Sequence, residues 1–283
     1  MLIAQITDVH IGFDPENPED ELNRQRFDRV LAELIEGPNR PDLVLVTGDI
    51  ADRGDVDSYR RVAEALQRCP FPAYLALGNH DDRANFSVVF PQIPMPDGFA
   101  QYCVALDGLR IIVLDTLEVG RHGGGFCEAR AAWLRARLGE HRDVPTVIVM
   151  HHPPFDSGIE WMTTHPGEPW VKRFADAIAG HRHVKAIWSG HLHRAVVAPW
   201  KGITATVCPA TAAELSLDLS PIDPDKPDGR PMVNADPPGY ALHRWTGYGM
   251  VTHFDAVLDH VVLARFDHRM QPLVRDLVGE RPS

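Results

Sequence analysis

Side chains able to hold a metal ion recur behind one apolar run after another in this chain. Residues 2–7 lead into Asp8-Val9-His10, 43–47 into Gly48-Asp49, 73–77 into Gly78-Asn79-His80-Asp81, 146–150 into His151-His152-Pro153-Pro154, and 186–189 into Gly190-His191-Leu192-His193. Carboxylate, amide and imidazole donors without a cysteine suit divalent or trivalent Fe, Mn, Zn or Co rather than a thiolate site. Each motif also has a bland reading: Asp8-x-His10 and Gly48-Asp49 serve as turns, and Asn79-His80-Asp81 as a helix cap. Independent turns, however, have no reason to choose metal donors at the ends of successive runs. Asp8-x-His10 and His191-x-His193 bring two side chains to neighbouring positions if the backbone kinks there. Gly48, Gly78 and Gly190 would let the backbone pass close to a metal or its substrate.

Such donors need a rigid edge beneath them. The five runs, with 111–114 as a sixth, are rich in Val, Ile and Leu and about one strand long, the pattern of an α/β protein with buried strands. In open α/β sheets, ligands bind beyond the carboxyl ends of the strands, where loops converge on a fixed frame. Between the runs, 21–35 places Leu22, Val30, Leu31, Leu34 and Ile35 on one helical face and ends at Gly37. Residues 59–66, 129–138 and 170–178 predict further helices, and Asp107-Gly108 predicts a tight hairpin between 101–106 and 109–114, so the sheet is mixed. Beyond about residue 195 the helical spacing fades; 203–207, 240–245, 251–257 and 260–266 read as antiparallel strands suited to a second sheet. The stretch 220–239, crowded with Pro, Asp and Gly, reads as a long functional loop. No repeat or linker divides the chain, so a single domain over 1–283 is expected.

Bulk properties narrow the function classes. The 283 residues are 44% hydrophobic and 24% charged, an ordinary globular balance. A formal charge of −11 argues against general affinity for nucleic acid or anionic membrane. Cys69, Cys103, Cys127 and Cys208 form no Cys-x-x-Cys pair, which leaves free thiols rather than a zinc knuckle or disulfide framework. No apolar run is long enough to span a bilayer, and the opening residues lack a basic leader with a cleavable apolar stretch, so the cytoplasm is the expected location.

The series Asp8-x-His10, Gly48-Asp49, Gly78-Asn79-His80-Asp81, His151 and Gly190-His191-x-His193 resembles, block by block and in order, that of the calcineurin-like metallophosphoesterases. The motifs span residues 1–195. The compact length, Gly78-Asn79-His80-Asp81-Asp82 and Met150-His151-His152-Pro153-Pro154 are most similar to the bacterial class III cyclic-nucleotide phosphodiesterase and glycerophosphodiesterase group. The resemblance implies a four-layer α/β/β/α sandwich of two mixed sheets with a dinuclear metal site at one edge. Carried over by motif, Asp8, His10 and His193 bind one metal, Asn79, His151 and His191 the other, and Asp49 bridges both; His152 falls to the substrate pocket or outer shell.

Two metal ions so placed would acidify a water, orient it towards phosphorus and neutralise the phosphoryl oxygens. His80 is then expected to contact the phosphate or protonate the leaving alkoxide, with Asp81 orienting its ring, and Asn79, His80, His152 and Arg194 to contact substrate. Phe155, Trp161 and His165 are further candidates for the pocket. Asp115 reads as structural, His122 with Gly123–Gly125 as a flexible loop, and His181, His183, His243, His253, His260 and His268 as packed or solvated. The expected reaction is hydrolysis of small phosphodiesters, 3',5'-cyclic nucleotides or glycerophosphodiesters. The alternatives are a phosphomonoesterase, nucleotide pyrophosphatase, protein phosphatase or nuclease on the same core, or a protein-binding scaffold. Similarity also implies a possible homodimer or higher homo-oligomer through the C-terminal part.

Overall fold

Unbroken burial along the central strands explains the architecture. In a computed structural model, which describes residues 1–18, 20–246 and 249–281, these strands have apolar side chains on both faces and are covered on both, whereas strands at the sheet margins expose one face. The order is β1 (Leu2–Ile6), α1 (Leu22–Glu36), β2 (Leu43–Thr47), α2 (Val56–Leu66), β3 (Ala73–Ala76), α3 (Arg83–Val89), β4 (Tyr102–Leu106), β5 (Leu109–Val113), α4 (Glu128–Glu140), β6 (Thr146–Val149), α5 (Pro169–Ile178) and β7 (Val184–Ser189). There follow β8 (Val196–Trp200), β9 (Ile203–Val207), β10 (Glu214–Leu215), β11 (Val233–Asn234), β12 (Gly239–Thr246), β13 (Gly249–Ala256) and α6 (Gln271–Gly279).

One sheet runs β13-β12-β1-β2-β3 and the other β4-β5-β6-β7-β9-β8, each with parallel strands at its centre and antiparallel strands added. Ile3, Leu43, Leu45, Ile111, Val147, Val149 and Trp188 point between the sheets into a shared core. Their neighbours alternate to the outer faces. Ala4, Val44 and Val46 meet Phe27, Leu31, Tyr59 and Phe86 of α1, α2 and α3, while Ile112, Ile148 and Ile187 meet Leu134, Leu138 and Phe174 of α4 and α5. Helices, sheet, sheet and helices make the α/β/β/α sandwich.

The helices cover the expected stretches, and the hairpin at Asp107-Gly108 joins β4 to β5, with Gly108 at φ 68°, a conformation glycine adopts without strain. Three expectations change. The expected C-terminal strands extend the two main sheets instead of building a second one: β12 and β13 lie beside β1 and β9 runs parallel to β7, while the short β10 and β11 pair with each other. Residues 260–266 form no strand; Val261, Leu263 and Phe266 are exposed, and the segment pairs with no sheet edge among the described residues. Helix α6 was not expected, although Pro272 in its first turn fits a helix start.

Candidate metal centre

The strand ends on one edge of both sheets carry the donors. β1, β2 and β3 of the first sheet deliver Asp8, His10, Asp49 and Asn79; β6 and β7 of the second deliver His151, His191 and His193. Left-handed backbone aims them: Asp8 (φ 52°), His10 (49°), Asp49 (48°), His191 (72°) and His193 (50°) all lie in that region. Such conformations cost of order 1–3 kcal/mol each and persist only where surrounding structure over-determines them. Here it does so through backbone bonds. Asp8 N donates to Gly48 O, Val9 N and His10 N to Asp49 O, Gly190 N to His151 O, and Ala212 N to Asp8 O.

The side chains converge. His193 Nε2 lies 3.2 Å from Asp8 Oδ1 and 3.3 Å from His10 Nε2; Asp49 Oδ2 lies 3.2 Å from His151 Nε2 and 3.7 Å from His10 Nε2. Donor atoms of Asp8, His10 and His193 fall within 4.8 Å of one another, as do those of Asp8, Asp49 and His151. Four buried donors at this centre, Asp8 Oδ1, Asn79 Oδ1, His151 Nε2 and His191 Nδ1, make no hydrogen bond within the protein. Buried polar atoms are rarely left so. Their convergence fits a pair of metal ions, and Asp49 occupies the place between the two groups.

Ring tautomers agree with that fit. His151 Nδ1 donates to Thr47 O, His193 Nδ1 to Ala213 O and His10 Nδ1 to Asp52 Oδ1, which leaves Nε2 as the lone-pair atom of each ring in its neutral form. Electrostatically, the centre favours positive charge. Burial disfavours ionised Asp8, yet the imidazoles of His193 and His151 hold its carboxyl at about 2. Asp49 is likewise buried but lies well below the carboxylate range, chiefly through His151 and His10. Burial works against a charged His151 too, and Asp49 and Asp8 raise it to about 9.

Glycines make the room. A Cβ on Gly78 would stand 2.2 Å from Asp49 Oδ1, and Gly48 adopts φ 95° with His151 Nδ1 2.4 Å from where its Cβ would be.

Several expected roles are redistributed. Asp81 does not reach the His80 ring. Its buried carboxylate accepts from Gly78 N, Ile50 N, Ala51 N and Tyr59 Oη, so it fixes the loop that carries Asp49. Burial and the neighbouring Asp49 raise its pKa to about 7. Asp52 takes the orienting place: His80 Nδ1 donates 2.8 Å to its carbonyl, with its carboxylate 3.8 Å away. Its position on the Asp49 loop, three residues on, was the available signal.

His152 is fully buried, with Nε2 donating to His122 O and Nδ1 accepting from Thr116 Oγ1; it props the loop at His122, and its ring stands with those of His151 and His191. Arg194 is engaged by Leu215 O at 2.6 Å and Glu214 Oε1 at 2.8 Å, tying the chain after His193 to β10. Phe155 is buried under the second sheet, and His165 Nδ1 accepts from Gly167 N; neither lines the groove beside the donors. That groove, about 360 Å³, is lined by Asp52, Asn79, His80, Gly120, Arg121 and His122. The loop expected to be flexible is pinned, since Gly125 N donates to Thr116 O and Arg121 N to Glu118 O. Asp115 is clamped by Arg83 at 2.7 and 2.8 Å, and His243 stacks on Trp188 with ring centres 3.7 Å apart.

Comparison with known proteins agrees with the geometry. The family model described as calcineurin-like phosphoesterase matches residues 1–195. A probable cyclic nucleotide phosphodiesterase of Rhodopseudomonas palustris is 35% identical over 259 residues, covering 85% of this chain and 87% of its own. A probable glycerophosphodiester phosphodiesterase of Arcobacter nitrofigilis is 29% identical over 260 residues, covering 89% and 92%. Among solved structures, a dimetal phosphatase from Danio rerio shares the fold with a TM-score of 0.67 at 15% identity, over 90% of this chain and 96% of that one.

Proposed function

The chain belongs to the calcineurin-like phosphoesterase family, and from that premise we propose that it hydrolyses small phosphodiesters, either 3',5'-cyclic nucleotides or glycerophosphodiesters. The observation that carries the reading is the convergence of donor atoms of Asp8, His10, Asp49, His151 and His193, at a centre where buried Asp8 Oδ1, Asn79 Oδ1, His151 Nε2 and His191 Nδ1 make no hydrogen bond. Asp8, His10 and His193 would hold one metal, Asn79, His151 and His191 the other, and Asp49 both. Oxygen and nitrogen donors favour Fe, Mn, Zn or Co. Bound there, the pair would supply hydroxide near neutral pH and neutralise charge on the phosphoryl oxygens.

The chain's own groups do the rest. Asn79, His80, Arg121 and His122 line the groove beside the donors, where the part of the substrate that is not attacked would lie. His80 Nδ1–H is committed to Asp52 O, so Nε2 is the ring atom through which a proton would pass to the leaving oxygen. Asp81 acts indirectly, holding Asp49. No helix among the described residues is long and apolar enough to cross a membrane, and a cytoplasmic site of action fits the free cysteines. One domain over 1–283, and a homo-oligomer in which a partner's C-terminal part covers exposed Val261, Leu263 and Phe266, belong to the same proposal.

Chelator-stripped protein reloaded with Mn(II), Co(II) or Zn(II) is to be assayed on cyclic nucleotides, glycerophosphodiesters, phosphomonoesters, nucleotide sugars and phosphopeptides. The expected outcome is metal-dependent turnover of one of the first two classes, abolished by Asn79→Ala. Undiminished turnover in that variant, or preference for phosphopeptides, would overturn the proposal.

A further inference from the structure

Helix α1 lies on the outer face of the first sheet, and two of its buried polar residues, Asn23 and Arg26, share one face at i, i+3 spacing. Neither contacts a candidate ligand side chain. Arg26 is a buried guanidinium that spends its donors on backbone carbonyls: Nε on Thr211 O at 2.9 Å, and Nη2 on Ala212 O at 2.8 Å and on Asp236 O. Asn23 Nδ2 donates 3.0 Å to His10 O.

The segment Arg26 grips runs directly to the metal centre. Thr211 N donates to Thr7 O and Ala212 N to Asp8 O, both at 3.0 Å, and Ala213 O accepts 2.7 Å from His193 Nδ1. The Ala212 peptide is thus fixed from both sides, by a cation at its carbonyl and by Asp8 at its N–H. The next carbonyl sets the tautomer and tilt of His193, while Asn23 holds the left-handed turn at His10. Of the donor residues, those these two residues tether directly or through Ala212 and Ala213, namely Asp8, His10 and His193, belong to one of the two donor groups. Asn79 and His151 are held otherwise, on β3 and by Thr47 O, and His191 meets the first group through its N–H on Asp8 Oδ2, not through the carbonyls that Arg26 and Asn23 hold.

We propose that Arg26 and Asn23 are positioning residues that set the affinity of the Asp8–His10–His193 metal position independently of the Asn79–His151–His191 position. The inference rests on the assignment of those two groups as metal positions. Partners of this kind beyond the ligands typically change metal affinity by about 10- to 100-fold.

The test is calorimetric titration of chelator-stripped protein with Mn(II) in two backgrounds, His191→Ala, which disables the second position, and His10→Ala, which disables the first. Arg26→Gln should weaken the remaining site by about 10- to 100-fold in the His191→Ala background. In the His10→Ala background it should stay within about twofold, as for independent sites. Arg26→Lys, which restores a donor, should fall between, and Asn23→Ala provides a milder probe should Arg26→Gln unfold, with far-UV circular dichroism reporting the fold. Equal weakening in both backgrounds would mean a general structural role, and no weakening in either would mean none; both overturn the inference. Failure of the unmodified protein to bind Mn(II), Co(II) or Zn(II) would instead overturn the metal assignment itself, and the inference with it.

Discussion

Replacing His243 by glutamine should flatten the acid limb of the stability curve. The ring is fully buried, stacked on Trp188, and hydrogen-bonded to Gln5 Oε1 at 3.0 Å and Thr252 Oγ1 at 2.8 Å. Burial lowers its pKa from 6.5 to about 3. The unfolded chain therefore takes up a proton below 6.5 that the folded chain refuses until about 3. Stability from this group is complete above 6.5 and is lost as pH falls through that window, by about 1.4 kcal/mol per pH unit. Between about pH 7.5 and about pH 5 the loss is about 2 kcal/mol. Glutamine cannot titrate, so His243→Gln should be less stable at the upper pH, by about 1–2 kcal/mol for imperfectly replaced bonds, and should close that gap at the lower. Urea unfolding of chelator-stripped protein at each pH measures it, since all other titrating groups are common to both proteins. Parallel loss of stability in the two proteins would refute the reasoning.

Two further outcomes follow from the site geometry. Gly78→Ala should keep the fold but displace Asp49, whose Oδ1 lies 2.2 Å from the new Cβ; because Asp49 stands between both donor groups, both metal affinities should fall, by roughly 10-fold or more in titration calorimetry. Asp52→Asn removes the carboxylate that fixes His10 Nδ1 but keeps the carbonyl that accepts from His80. It should lower metal affinity by roughly 10-fold while leaving the pH dependence of turnover in place, whereas a shifted profile with unchanged affinity would reverse the assignment of roles.

The donors were legible because each sits directly behind an apolar run, and strand ends on one edge of a sandwich have to meet. The helices of the first two thirds were legible for a similar reason, since their buried faces repeat at helical spacing. What sequence concealed was contact across the left-handed turns. Asp81 stands next but one to Asn79, so proximity along the chain suggested the His80 ring; in space its carboxylate turns back to the amides of Ile50, Ala51 and Gly78. Asp52 is returned to His10 and His80 only by the turn at Asp49, which the letters do not encode. Arg26 is hidden more deeply, because its carbonyl partners lie 185 residues or more along the chain. Residues 260–266 failed in the opposite direction: β propensity was present, but a strand exists only where an edge pairs with it.

The division of ligands between the two sheets places a demand on the core between them. Asp8, His10, Asp49 and Asn79 ride on one sheet and His151, His191 and His193 on the other, so donor spacing is as precise as the registration of the sheets. Side chains in the shared core, Trp188 and Val149 among them, set that registration by close packing, which transmits strain rather than absorbing it. Polar bonds then lock it near the site. Gln5 Nε2 reaches from β1 to Ser189 O at 3.0 Å, His151 Nδ1 from the end of β6 to Thr47 O, and His191 N to Asp8 Oδ2 at 3.0 Å. Gln5 also accepts from His243, so the network extends from β12 to the floor of the metal centre. A buried polar chain of this kind is costly unless its members are satisfied, and at its end stand Asp8 Oδ1, His151 Nε2 and His191 Nδ1, which make no hydrogen bond and lie where cations fit. Packing that aligns two sheets and polar groups that stop short of pairing are therefore parts of one arrangement, and its chemical capacity follows from their meeting at the shared edge.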